Sequence, residues 1–157
     1  MKTKALVVAL ALSCFAVATS FAGQECNMGT WKLDGKKSKI ASGMGRNHTV
    51  VYDSGIFGKV KVTVDGVDAK GKPTHNEWSG RFDGQDYKVT GDADSDMRAY
   101  AQGANDHTLN MTQKKGGKVV ATGQIVVSPD GKMRTVTTMG TGAKGKRYKS
   151  VAVYNKA

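Results

Sequence analysis

The sequence predicts an all-β fold, an antiparallel up-and-down meander of about eight to ten strands, and three observations carry that prediction. Turn signals punctuate residues 59–155 at hairpin spacing: Asp68-Ala69-Lys70-Gly71-Lys72, Asp83-Gly84, Lys115-Gly116-Gly117-Lys118, Pro129-Asp130-Gly131 and Gly142-Ala143-Lys144-Gly145-Lys146. The runs between them alternate polar and apolar side chains, as strands with two unlike faces do. After residue 22, no apolar 3.6-residue period persists over three turns.

The elements follow in chain order. Gly29–Leu33 and Asn47–Asp53 are the first two candidate strands, separated by residues 34–46, the longest unpatterned stretch, which is expected to form a surface loop across one end of the sheet. Lys59–Val67 alternates most cleanly, with Val60, Val62 and Val64 on one face and Lys59, Lys61 and Thr63 on the other. Pro73–Phe82, Tyr87–Thr90, Met97–Gln102, His107–Lys114, Lys118–Ser128 and Lys132–Gly140 continue the meander. The last strand, Lys146–Asn155, opposes Tyr148, Ser150, Ala152 and Tyr154 to Lys149, Val151, Val153 and Asn155. Neither of its faces is purely polar, as in a barrel whose interior holds a partly polar cavity. An open or sandwich-like arrangement of the same hairpins is the alternative.

Residues 1–22 read as a secretory signal peptide, and residues 23–157 as a single domain. Lys2 and Lys4 precede an apolar run from Ala5 to Ala18, and Ser20-Phe21-Ala22 puts small residues where a signal peptidase cuts. That run is shorter than the ~20 residues of a membrane span, and no comparable stretch follows it. Ala11 stands where a lipidation signal around Cys14 would carry leucine. A periplasmic or secreted bacterial protein is therefore expected. Cleavage leaves 135 of the 157 residues, enough for a core without staples. It also leaves Cys26 as the one cysteine, so the mature chain is expected to be a monomer without internal disulfides, a Cys26-linked dimer being the alternative.

Charge is the second compositional signal. The chain carries 24 basic and 13 acidic residues; removing Lys2 and Lys4 leaves 22 against 13, a net charge of +9 that attracts anionic surfaces and ligands. The lysines gather at turn tips: Lys70 and Lys72; Lys114, Lys115 and Lys118; Lys144, Lys146 and Arg147. If Tyr87–Thr90 is a strand of its own, up-down counting puts these tips at one end of the meander and Asp83, Asp86, Asp106 and Asp130 at the other. Such lysines also keep sheet ends soluble.

Gly29-Thr30-Trp31-Lys32-Leu33 at the first strand, the meander after it and Val153-Tyr154-Asn155-Lys156 at the close resemble lipocalin and fatty-acid-binding barrels. The resemblance implies an up-and-down calycin-like barrel that holds a small hydrophobic ligand, with the tryptophan plugging the closed end. Departures from that pattern are visible. Residues 34–46 are too few for a helical lid, Ala152 stands where a carboxylate-binding arginine would be, and the final strand does not offer the arginine that packs over the lipocalin tryptophan. The mature chain is also similar to a group of small exported bacterial proteins with the same Gly-Thr-Trp-Lys-Leu start and a segment like Phe82–Gly91, a likeness that brings no activity with it.

Catalytic motifs are missing from the sequence. His48, His75 and His107 are isolated, no serine sits in a Gly-x-Ser-x-Gly elbow, and Glu77 is alone on its strand. Asp92-Ala93-Asp94-Ser95-Asp96 fails the calcium-loop pattern, since Met97 and Gly103 replace its glycine and its bidentate glutamate. Aspartates here are expected to cap turns. Neither enzyme activity, a cofactor, a bound metal nor a nucleic-acid partner is expected. The leading reading is a non-catalytic barrel for a small apolar or amphipathic ligand. Its candidate contacts are Trp31, Trp78, Arg81, Arg98, Tyr100, Arg134 and Tyr154, the arginines because their planar forks suit carboxylate or phosphate. The second reading is an envelope-associated protein with a packed interior, docking on anionic partners through its lysine-rich turns.

Overall fold

The structure, a computed structural model, describes residues 22–142 and 144–157. The expected signal peptide, apart from Ala22, lies outside the described residues. A short helix, α1 (Ala22–Asn27), leads into ten strands: β1 (Gly29–Leu33), β2 (Arg46–Ser54), β3 (Val60–Val67), β4 (Pro73–Gly80), β5 (Tyr87–Thr90), β6 (Met97–Gln102), β7 (Thr108–Lys115), β8 (Lys118–Val127), β9 (Met133–Thr141) and β10 (Arg147–Lys156). All ten predicted strands form, with ends shifted by at most two residues. Each strand pairs antiparallel with its chain neighbour, and β1 pairs with β10 through Trp31↔Lys156, Lys32↔Asn155 and Leu33↔Tyr154, closing the sheet into a barrel. Closure removes the sheet edges that an open arrangement would leave. No described helix is long and apolar enough to cross a membrane.

Because every connection is up-and-down, the turns divide cleanly between two ends. The turns β3–β4, β5–β6, β7–β8 and β9–β10 share one end with residues 34–45, and the lysine tips therefore do gather at that end. The other end holds α1, the C-terminus and the remaining turns. Two details of the charge counting change. Asp83 bridges to Ala101 and Asp86 pairs with Lys114, so the β4–β5 connection runs down the outer wall beside β6 and Asp86 is no rim residue. Asp92, Asp94 and Asp96, in the β5–β6 turn, fall among the lysines instead.

The inward face changes character along the barrel axis. Toward the end crossed by α1 it carries Trp31, Tyr52, Val60, Val62, Trp78, Tyr100, Leu109, Ile125, Val127 and Tyr154, all buried. Gly80 is what lets the Trp78 ring meet that of half-buried Tyr87: a Cβ there would lie 2.5 Å from both. Toward the lysine end the inward residues are short or polar, among them Ala121, Gly123, Thr138, Gly140, Ser150 and Ala152. Several inward positions there, Leu33, Asn76, Gln113, Val136, Thr138 and Tyr148, are only half-buried, so solvent reaches into that end.

Candidate functional site

The tryptophan end is sealed by its own side chains. Trp31 is fully buried, its Nε1 donates to the Asn27 carbonyl at 2.8 Å, and the Cys26 thiol donates to the Asp106 carbonyl, so α1 is tied across the barrel from β1 to the β6–β7 turn. Burial pushes the Cys26 thiol above its usual pKa. Arg134, 2% exposed, lies over three rings at once, 5.1 Å from Trp31, 4.9 Å from Tyr52 and 5.0 Å from Tyr154. Lys156 covers Trp31 as well, at 5.3 Å. The cation over the tryptophan, which the final strand lacks in the form of an arginine, thus comes from β9 and from Lys156. Arg134 Nε and Nη1 meet no hydrogen-bond acceptor, and ring faces stand in for a counter-ion, each such contact contributing about 0.5–2 kcal/mol.

A second buried arginine lies nearer the middle. Arg98 Nη2 donates to Asp92 Oδ2 at 3.0 Å, the same oxygen that accepts the Ser95 hydroxyl at 2.6 Å, while Asp92 Oδ1 accepts the Asp94 amide. The aspartate turn is therefore a cap and an anchor for Arg98, in line with turn-capping aspartates. Burial works against the Arg98 charge, but Tyr100 and Asp92 more than offset it and its pKa is raised. Trp78 Nε1 donates to the Arg98 carbonyl, and Trp78, Phe82, Tyr100 and Tyr52 make a chain of edge-on and stacked contacts with centroids 4.8–6.4 Å apart. Burial pushes the Tyr52 and Tyr154 hydroxyls up, so both stay neutral.

At the lysine end the wall itself parts. β1 and β2 pair only as far as Lys32↔Thr49, and just beyond that pair β2 carries a bulge in its ladder with β3, between Asn47 and Thr49. Such a bulge bends its strand, here away from β1 while the pairing with β3 continues to Arg46↔Val67. Residues 34–41, expected as a loop across the end, instead run on along β10. Lys39 exchanges backbone bonds with Val151 at 2.7 and 2.9 Å, the Ser38 hydroxyl accepts the Val153 amide, and the Ala41 amide donates to Ser150 Oγ. Asp34 starts this path by accepting the Lys36 and Lys37 amides. The result is a notch between two fixed lips, one held on β10 and one on β3.

The notch measures about 550 Å³ and is lined by Lys32, Leu33, Gly35, Ser38, Lys39, Ile40, Arg46, His48 and Thr49. Leu33 and Ile40 pack against the core and give it an apolar floor. Lys39, Arg46 and His48 stand exposed around it, and Lys32 is pinned at its closed end by a 2.9 Å bond to Thr49 Oγ1. No carboxylate lines it. Cations over an apolar floor suit a molecule that is anionic at one end and apolar at the other.

The structure separates the residues singled out from sequence. Trp31, Trp78, Arg98, Tyr100, Arg134 and Tyr154 all face inward and pack on one another, while Arg81 is exposed and donates to the Phe57 carbonyl at 2.8 Å. Lys114 is engaged by Asp86 at 2.6 Å and Lys115 by the Ala93 carbonyl, leaving Lys70, Lys72, Lys118, Lys144 and Lys146 as exposed tips. Lys39 and Arg46 are not among the residues that the sequence singles out, and their one trace there is the lysine-rich unpatterned run 34–46; His48, isolated in sequence, lies in the strand that follows it. Among the described residues no group of three or more histidines, cysteines and acids is placed to hold a metal.

Neither a protein-family model nor a curated protein matches the chain. Among solved structures it is similar to a redesigned β-barrel, mFAP1, bound to DFHBI, with 18% identity and a TM-score of 0.47 over 87% of this chain and all of the other. EF1p2_mFAP2b bound to DFHBI is similar at 12% identity and the same TM-score, over 88% of this chain and all of the other.

Proposed function

We propose that this is an exported, non-catalytic binding protein for small amphipathic anions, taken up at the notch between β1 and β2. The observation that carries the reading is the lining of that notch, with Lys32, Lys39, Arg46 and His48 set around Leu33 and Ile40 and no acid among them. Its volume of about 550 Å³ falls within the ~300–1,000 Å³ typical of small-molecule sites. The acid group of the ligand sits between the exposed cations, and its apolar part lies on Leu33 and Ile40 toward the half-open interior. Export rests on Lys2, Lys4 and the apolar run after them.

Isothermal titration with dodecanoate tests this. Saturable binding is expected, about tenfold weaker for Lys39→Glu or Arg46→Glu and weaker still for neutral dodecanol, since each reversal replaces an attraction by a repulsion. Binding that is indifferent to these reversals, or the absence of saturable heat, would remove the notch from consideration.

A further inference from the structure

The β2–β3 turn lies at the tryptophan end, far from the notch, and it presents its apolar residues outward. Ile56 is 75% and Phe57 84% exposed, side by side at the tip of Gly55-Ile56-Phe57-Gly58. Phe57 is also the one described non-glycine residue with positive φ, at φ 55° and ψ 37°. Bulky side chains rarely adopt that conformation, and glycines stand within two residues on either side that would adopt it freely.

The strained tip is nevertheless held in place. Gly55 N donates to the Lys59 carbonyl at 2.7 Å, Lys59 N to the Ile56 carbonyl at 3.2 Å, and Arg81 Nη2 reaches over from the β4–β5 connection to the Phe57 carbonyl at 2.8 Å. Lys59 and Arg81 flank the two apolar side chains. Of the acids nearby, Asp53 stands opposite Lys61, which is itself paired with Glu77 at 2.9 Å, and Asp83 accepts the Tyr87 hydroxyl within reach of the Arg81 charge. The surroundings of the tip are thus mixed in charge, and the cation fixed at the tip itself is Arg81.

We infer that Ile56 and Phe57 form a wedge that docks this end of the barrel on a lipid bilayer, with Lys59 and Arg81 meeting anionic headgroups. Backbone strain retained at an aromatic that is 84% exposed is what a binding contact explains and packing does not. An exposed apolar pair with a guanidinium fixed at its base is complementary to the boundary between acyl chains and phosphates. The fixed turn enters without first having to be ordered. Docking at this end leaves the notch facing away from the membrane.

Co-sedimentation with mixed phosphatidylglycerol and phosphatidylcholine vesicles tests the wedge. The parent protein is expected to bind, Phe57→Gly and Ile56→Ser to bind about tenfold less or weaker, and Lys70→Glu with Lys72→Glu at the opposite end to stay close to the parent. Phe57→Gly suits the backbone, so it should melt no lower than the parent and should still bind dodecanoate, which separates this proposal from the notch. Three results would overturn it: undiminished vesicle binding by Phe57→Gly, loss of binding on reversing Lys70 and Lys72, or a Phe57-dependent dimer in light scattering that shows a second copy covering the tip.

Discussion

The two ends of this barrel are built from the same alternating strands, and they differ in what the inward positions carry and in how each opening is closed. At the tryptophan end Trp31, Trp78, Tyr52, Tyr100 and Tyr154 meet around the buried guanidinium of Arg134, and α1 closes the opening. At the lysine end Gly123, Thr138, Gly140 and Ser150 take the inward positions, most of them only half-buried, and β1 parts from β2. One end spends its large side chains on stability. The other leaves space and charge for a ligand, as scaffolds do that carry binding residues on rigid elements.

The comparison is broken most directly by truncating side chains at both ends. Trp31→Ala or Trp78→Ala is expected to cost about 3–5 kcal/mol in denaturant unfolding, by leaving a large cavity in a packed layer. Thr138→Ala, at the half-open end, is expected to cost under about 1 kcal/mol. Equal losses would mean that the two ends are packed alike. Gly80→Ala sharpens the same contrast, because the added methyl collides with the Trp78 and Tyr87 rings and should cost about 1–3 kcal/mol. Gly131→Ala, in an open turn with nothing within 4 Å of its Cβ, meets only the strain of its positive φ and should cost less.

The smallest expected effect is on the outer wall. His75 Nδ1 lies 2.6 Å from Asp65 and its Nε2 3.6 Å from Glu77, and the Asp65 hydrogen bond first, then its charge and that of Glu77, hold the imidazole above the usual 6.5. A raised folded-state pKa stabilises fully below the unfolded value, and the contribution is lost as pH rises through the folded one. The imidazole shifts of His75 should therefore titrate above 6.5 by NMR, and Asp65→Asn should bring the midpoint down. Its exposure to solvent keeps any effect on unfolding slight.

The sheet was legible because each of its signals is local. Val60, Val62 and Val64 alternate within one strand, and Asp68-Ala69-Lys70-Gly71-Lys72 closes a hairpin through Asp68 Oδ1 accepting the Lys70 and Lys72 amides. Even β5, four residues long, came out with its predicted ends. The notch was not legible because it depends on a bulge at His48 and on backbone bonds between Lys39 and Val151, 112 positions apart, neither of which leaves a periodic trace. Arg134 was named as a ligand contact from its residue type alone. Only the register, Tyr154↔Arg134 beside Leu33↔Tyr154, shows that it lies against Trp31.

The measurement that tests the division of labour most directly is an amide NMR titration of the protein with dodecanoate. Saturating shifts at Leu33, Lys39, Ile40, Arg46 and Thr49, with the Trp31 and Trp78 indole signals unmoved, are the predicted result. Shifts that centre on the two indoles would place the ligand inside the filled end and contradict the account.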